Sequence, residues 1–121
     1  MKTEAVKREI LGFVYAERLK SALLAVGQLL DVLDGLDDVK RPGGLELFAS
    51  FVSTVGREMR LAANVMETQD WHGLVADLNL MEGYVHLRQM ELARQELSRT
   101  LSRVTTLSGR AMTALKDYGL L

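Results

Sequence analysis

Apolar residues recur at steps of three and four along nearly the whole chain, the spacing that puts side chains on one face of an α-helix. The 121 residues include a single proline, Pro42, and only 6% aromatic residues, a composition that disfavours β-sheets and loop-rich folds. Hydrophobic residues make up 48% and charged residues 26%, as in an ordinary globular domain. We therefore predict an all-α fold, an antiparallel helical bundle that forms a single domain over residues 1–121.

Three helical segments are predicted, at about residues 3–34, 45–67 and 70–118. The first connection is placed at residues 35–44, because Gly35 can end a helix and Pro42-Gly43-Gly44 opposes its continuation. The second segment has the most regular apolar pattern, a seven-residue repeat that is typical of bundle packing: Leu45, Phe48, Val52, Val55, Met59, Ala62 and Met66.

The third segment contains two apolar patterns that do not share one register. Counting in sevens from Val85 leads to Leu92, whereas counting back from Leu97 leads to Met90. The skip between residues 86 and 93 indicates either a local rewinding of one long helix or a break that makes four helices. We favour one long helix, since that window contains no glycine or proline. Such a helix extends about 73 Å and leaves apolar surface for a partner to cover.

Charge is divided along the third segment. Residues 67–87 carry acids and no lysine or arginine, whereas residues 88–116 are rich in arginine. Two such helices are complementary when they lie antiparallel, as in a two-fold dimer. We therefore expect a homodimer that pairs through the third helix, with another protein as a further candidate partner. The apolar residues expected at the interface are Phe13, Val14, Leu92, Leu97, Leu101 and Val104.

Four arginines lie near one line of the third helix: Arg88, Arg99, Arg103 and Arg110. A stripe of this kind can contact phosphates, which makes a nucleic-acid-associated subunit an alternative function. The other interpretation is a solvated face with pairs along the helix, such as Glu96–Arg99. We favour the solvated face, because the net charge is −1 and no aromatic side chain lies beside the stripe.

Residues suited to catalysis or metal binding are few and scattered. Cysteine is absent, which excludes thiol chemistry and thiolate metal sites. His72 and His86 are 14 residues apart, about 21 Å along a helix, so they cannot bind one metal ion, although Glu82 and His86 can pair. The serines lack a Gly-x-Ser-x-Gly turn, and no glycine-rich phosphate loop is present. We expect no enzymatic activity, no metal and no cofactor.

The start of the chain mixes acids and bases before any apolar run, unlike a signal peptide. No apolar run approaches the ~18 residues of a membrane span. We therefore expect a cytoplasmic protein that does not contact the membrane.

Trp71-His72-Gly73 resembles the Trp-x-Gly turn of the WXG100 family, whose members are small secreted helical hairpins. The resemblance covers three residues and implies a small secreted helical protein; export chaperones share the same size and class. The chain departs from the family in its long preceding helix, in its length and in lacking Tyr-x-x-x-Asp/Glu near the C-terminus.

A ligand pocket between helices near Trp71 and Tyr84 is a further hypothesis. Our first interpretation is a non-enzymatic, homo-oligomeric interaction, assembly or adaptor module.

Overall fold

A computed structural model describes residues 2–121, and over this range the chain forms four α-helices. They are α1 (Lys2–Asp34), α2 (Arg41–Met66), α3 (Gln69–His86) and α4 (Met90–Asp117). The all-α class and the bounds of the first helix are confirmed. The prediction of one continuous helix over residues 70–118 is wrong, because the chain breaks within the register skip and makes two helices.

The four helices run alternately up and down in a closed cycle. Each helix packs against the helices before and after it in the chain, and α4 closes the cycle on α1. Neighbouring helices are antiparallel, and ion pairs join residues that lie at the same height, that is, at the same level along the bundle axis: Arg18–Glu58, Asp34–Arg94 and Asp77–Arg103. The result is a square bundle with four side faces, each bordered by two neighbouring helices.

The core is one continuous cluster with side chains from all four helices. From α1 it takes residues three and four apart, as expected for a helix with one buried stripe: Ala16, Leu19, Leu23, Val26, Leu30 and Leu33. The predicted repeat of α2 is buried from Phe48 to Met66, and Leu45 packs beside it. Met59 and Met81 are fully buried, so these flexible side chains fill the core.

The break between α3 and α4 is a Schellman turn with an arginine at its left-handed position. The Gln89 N–H donates to the Tyr84 carbonyl (2.9 Å) and the Arg88 N–H donates to the Val85 carbonyl (3.0 Å). Arg88 has φ of 58°. The same pair of hydrogen bonds ends α4, where Gly119 takes the left-handed position with φ of 78°. Because an arginine stands where glycine usually marks this turn, the break lacks its usual residue signal, and only the register skip indicates it.

The first connection is shorter than predicted, since α2 begins at Arg41 and not at residue 45. Pro42 lies in the first turn of α2, where a missing N–H removes no helical hydrogen bond. The Asp37 carboxylate accepts hydrogen bonds from the N–H groups of Val39 (3.1 Å) and Lys40 (2.9 Å), which forms the turn that leads into the helix.

Gly44 allows the start of α2 to lie close to the end of α1. A Cβ at this position would overlap the side chain of Leu36 and press on Leu33. Arg41 is buried beside it and donates through Nη1 to the Leu33 carbonyl (3.2 Å). The Pro-Gly-Gly sequence therefore begins a closely packed helix, whereas we had predicted that it lies in a loop.

Replacing Arg88 with glycine should stabilise the protein. Glycine adopts a positive φ without the steric cost of a Cβ, so we expect Arg88→Gly to raise the free energy of unfolding by about 0.5–1 kcal/mol. Arg60→Gly, in the exposed interior of α2, is the control and should lower it by about 1 kcal/mol. Urea denaturation of the three proteins measures both changes. A loss of stability in Arg88→Gly would contradict the turn described above.

Candidate interaction surface

Polar bonds bridge the side face between α1 and α4. Arg94 donates to Asp34 (2.6 Å) and to Asp31 (3.3 Å), and these carboxylates, Asp34 first, raise the pKa of Arg94 above its ordinary value. About four turns along the bundle, the buried hydroxyl of Ser108 donates to Glu17 (2.7 Å). The polar groups at this face thus find their partners within the chain.

Ion pairs also bridge the face between α3 and α4. Arg103 pairs with Asp77, and Arg110 pairs with Asp70 (3.2 Å). These are the basic and acidic halves of the segment that we had predicted to pair between two chains. Because the chain reverses at residues 87–89, the two halves neutralise each other within one molecule. The argument for a dimer through the third helix therefore no longer holds.

The face between α1 and α2 is of a different kind, because aliphatic side chains cover it. Seven of them are exposed, and we call this surface the α1/α2 face: Leu11, Val14, Leu29 and Val32 of α1, with Leu47, Leu61 and Val65 of α2. Leu47 is 76% exposed, and Val32 and Leu61 are each 61% exposed. One ion pair, Arg18–Glu58, crosses between the two helices. Such a concentration of aliphatic groups on one side is typical of a binding surface.

The α1/α2 face arises because α1 carries two parallel stripes at steps of three and four. One stripe is buried in the bundle. The other faces outward, with apolar residues towards both ends and small or polar residues between them: Leu11, Val14, Arg18, Ser21, Ala25, Gln28 and Val32. A helix with two such stripes can pack on two sides at once. The apolar residues on the second stripe were the signal in the sequence that this side of α1 exposes apolar surface.

Contacts between α1 and α2 show which residues lie at the same height on the face. Leu11 and Val65 line one shallow groove, and Tyr15 and Leu61 line the next. Arg18 and Glu58 follow one turn further on. Continuing this antiparallel register places Ser21 near Thr54, and Leu29 near Leu47. The face therefore has an aliphatic group at each end and small polar residues in its middle.

Three of the six residues predicted at the dimer interface belong to the bundle itself: Leu97, Leu101 and Val104. Val104 is fully buried and Leu97 nearly so, and Leu101 packs partly buried against the core, so these side chains contact their own chain and do not form an open surface. Val14 is 45% exposed and lies on the α1/α2 face. Phe13 is half-buried, and Leu92 is exposed on α4, away from that face.

The four arginines of the predicted phosphate-binding stripe all have acidic neighbours. In addition to the two pairs with α3, Arg99 pairs with Glu96 (3.3 Å), and Arg88 lies 3.7 Å from Asp38. The Glu96–Arg99 pair was predicted and is present. With a carboxylate beside each guanidinium, the stripe carries little net positive charge to attract a phosphate backbone.

Glu96 was missed as a buried residue, because its spacing from Arg99 indicated a surface pair. It is 4% exposed, and its Oε1 is buried without a hydrogen-bond partner. Its other oxygen contacts Arg99, whose side chain is 61% exposed. A buried carboxylate oxygen with no partner costs free energy, since it loses its water without replacement.

The remaining polar candidates do not converge on one site. His86 Nε2 lies 4.0 Å from Glu82, the predicted pair, while His72 is exposed about four turns away on the same helix. Within residues 2–121, no three side chains of histidine, aspartate or glutamate come together in a way that could hold a metal ion. No helix in the same range has both the length and the apolar character needed to cross a membrane.

Trp71 and Gly73 have separate environments. Trp71 is buried in the first turn of α3, so Trp71-His72-Gly73 lies inside a helix and not in the connection before it. Gly73 borders a groove of about 390 Å³ between α3 and α4, and neither Trp71 nor Tyr84 lines this groove. Comparisons with protein-family models, with curated proteins and with solved structures found no match.

The Ser108–Glu17 hydrogen bond should be visible in a pH titration. Side-chain hydrogen bonds hold the pKa of Glu17 below its ordinary value of 4.5; the bond from Ser108 has the largest effect, and the bond from Lys20 the next. A lowered folded-state pKa adds stability above pH 4.5 that is lost as the pH falls through the folded-state pKa. Ser108→Ala should therefore raise the pKa of Glu17 and reduce the stability lost on acidification. Carboxyl NMR titration measures the pKa, with Ser102→Ala, at an exposed position of α4, as the control. An unchanged Glu17 pKa in Ser108→Ala would contradict the assignment.

Replacing Glu96 with methionine should increase stability. The substitution removes the unpartnered oxygen and keeps an apolar side chain of similar length, while Arg99 remains in water. We expect a gain of about 1 kcal/mol in the free energy of unfolding. The ion pair with the exposed Arg99 stabilises the protein less than the burial of the Glu96 carboxylate destabilises it. Urea denaturation measures the gain, and Glu91→Met, at an exposed position of the same helix, should change stability by less than about 0.5 kcal/mol.

Proposed function

We propose that the protein is a non-enzymatic interaction and assembly module whose binding surface is the α1/α2 face. The observation that carries the proposal is the concentration of exposed aliphatic side chains on that face. The faces that border α4, in contrast, are bridged by ion pairs and hydrogen bonds within the chain.

The size of the aliphatic surface supports this role. Each of its seven residues is between 38% and 76% exposed, and together they lie along two helices, a footprint suited to the ~800 Å² that each partner buries in a standard protein interface. Covering these side chains removes apolar surface from water, which is the main driving force of protein association.

The surface also has the composition of an interface centre. Aliphatic groups occupy both ends, Ser21 and Thr54 allow close approach between them, and one ion pair can fix the register of a partner. The arginine stripe offers less to a nucleic acid, because its charges are already balanced. We therefore prefer a protein partner.

Site-specific photo-crosslinking in the native cells tests the proposal. A benzophenone amino acid in place of Leu61 should form a covalent adduct larger than the 13.5 kDa chain. The same amino acid in place of Leu80, which is 46% exposed on α3, is the matched control and should form no such adduct. Both variants must fold, which circular dichroism checks.

The outcomes separate clearly. An adduct at position 61 that is absent at position 80 supports the α1/α2 face as the binding surface. Equal adducts at both positions would show contact without a preferred face, and no adduct at position 61 in folded, expressed protein would overturn the proposal.

A further inference from the structure

We infer that the occupant of the α1/α2 face is a second copy of this chain, related by a two-fold axis that runs parallel to the helices. In this arrangement α1 of each copy lies over α2 of the other, and residues keep their height along the bundle. The inference rests on the proposed function, since it names the partner for the same surface.

The register of the face makes it complementary to itself. A two-fold axis along the helices sets each residue of α1 against the residue of α2 that lies at its own height. Leu11 then meets the partner's Val65, and Leu29 meets the partner's Leu47. Aliphatic groups at each end of the face thus meet aliphatic groups of the partner, which is the self-complementarity that a two-fold interface needs.

The Arg18–Glu58 pair selects this axis. Because the two residues lie at one height, the axis places each arginine against the partner's Glu58 as well as its own. The four side chains form a ring of alternating charge at the interface. Each buried charge then has two opposite neighbours, which offsets the loss of water.

The other two-fold arrangement gives these charges fewer opposite neighbours. An axis across the helices lays α1 on the partner's α1 with Ser21 at the centre. There Arg18 faces the partner's α1 and keeps only its own Glu58 as an opposite charge, so it has one such neighbour and not two. The aliphatic ends would still meet, and it is therefore the charges that distinguish the two axes.

The middle of the face permits close contact. Ser21 and Ala25 of α1 and Ser50 and Thr54 of α2 have short side chains. Short residues at a helix crossing allow the axes to approach to the 8–10 Å that is usual for packed helices. The new contact would place α1 and α2 between two layers, which matches the two stripes of α1.

Single cysteines test the arrangement directly, because the natural chain has none. Ser21→Cys and Thr54→Cys lie at exposed positions on the face and at nearly one height. The inferred axis brings Cys at one position within disulfide range, about 7 Å between Cα atoms, of Cys at the other position in the partner. The two variants are mixed, one of them with a mass tag, and oxidised mildly. Disulfide-linked dimers of one tagged and one untagged chain should form in about tenfold higher yield than the linked dimers that either variant forms by itself.

Each result of the cysteine experiment is decisive. Efficient self-linking of Ser21→Cys alone would show the axis across the helices and overturn the inferred one. Adding Leu61→Arg to both variants should abolish linking, whereas Leu80→Arg should not. Linking that persists with Leu61→Arg would show random collision and overturn the inference.

Light scattering separates this inference from the proposed function. The wild-type chain should have twice its 13.5 kDa mass at micromolar concentration, and Leu61→Arg should weaken the dimer about a hundredfold. A wild-type monomer at ~100 μM would overturn the second copy as occupant. A photo-adduct at position 61 with a mass other than twice the chain would do the same and still support the proposed function.

Charge variants test the ring. Arg18→Glu and Glu58→Arg should each be monomeric, because like charges would face each other across the axis. Mixed in equal amounts they should form a heterodimer, since one face carries two acids and the other two bases. Two Glu58→Arg chains that dimerise as well as the wild type would overturn the ring.

Discussion

The reversal of the chain at Arg88 lays a basic helix against an acidic one, and much of the bundle's surface depends on this contact. Without the turn, α3 and α4 would continue as one rod with unbalanced charge at each end. With it, Arg103 and Arg110 reach Asp77 and Asp70 on the neighbouring helix. The same turn brings α4 back along α1, where Arg94 reaches Asp31 and Asp34. One backbone conformation therefore closes the four-helix cycle and neutralises two of its faces.

The fold class and most of the core could be predicted from the sequence, because both depend on the spacing of apolar residues. The stripe of α1 and the repeat of α2 are periodic, and their buried positions match the pattern. The register skip correctly located the break between α3 and α4, yet the wrong alternative was preferred. Glycine or proline is the usual mark of such a turn, and here the tertiary contacts of α4 with α1 and α3 hold an arginine at positive φ instead.

The charge argument for a dimer lost its basis in the structure, whereas part of the apolar excess on α1 lies on an exposed face. Charge patterns along a helix do not reveal whether the partner helix belongs to the same chain, so the acidic and basic halves gave the wrong dimer. Leu97 and Val104 were assigned to that dimer, and they fill the core because the bundle has a fourth helix to cover them. Val14 was an apolar residue outside the first stripe, and it lies on the α1/α2 face.

A comparison of α1 with α4 shows why the α1/α2 face needs an explanation. Both helices bury one stripe in the same core, but exposed positions of α4 are mostly polar, as in Gln95, Ser98 and Ser102. At comparable outward positions α1 has Leu11, Val14 and Val32. The fold of one chain does not require these side chains, since α4 packs equally well without such a stripe. The proposed partner surface would remove them from water, and the ion pair between Arg18 and Glu58, which lie at the same level of the bundle, would give that surface a defined register.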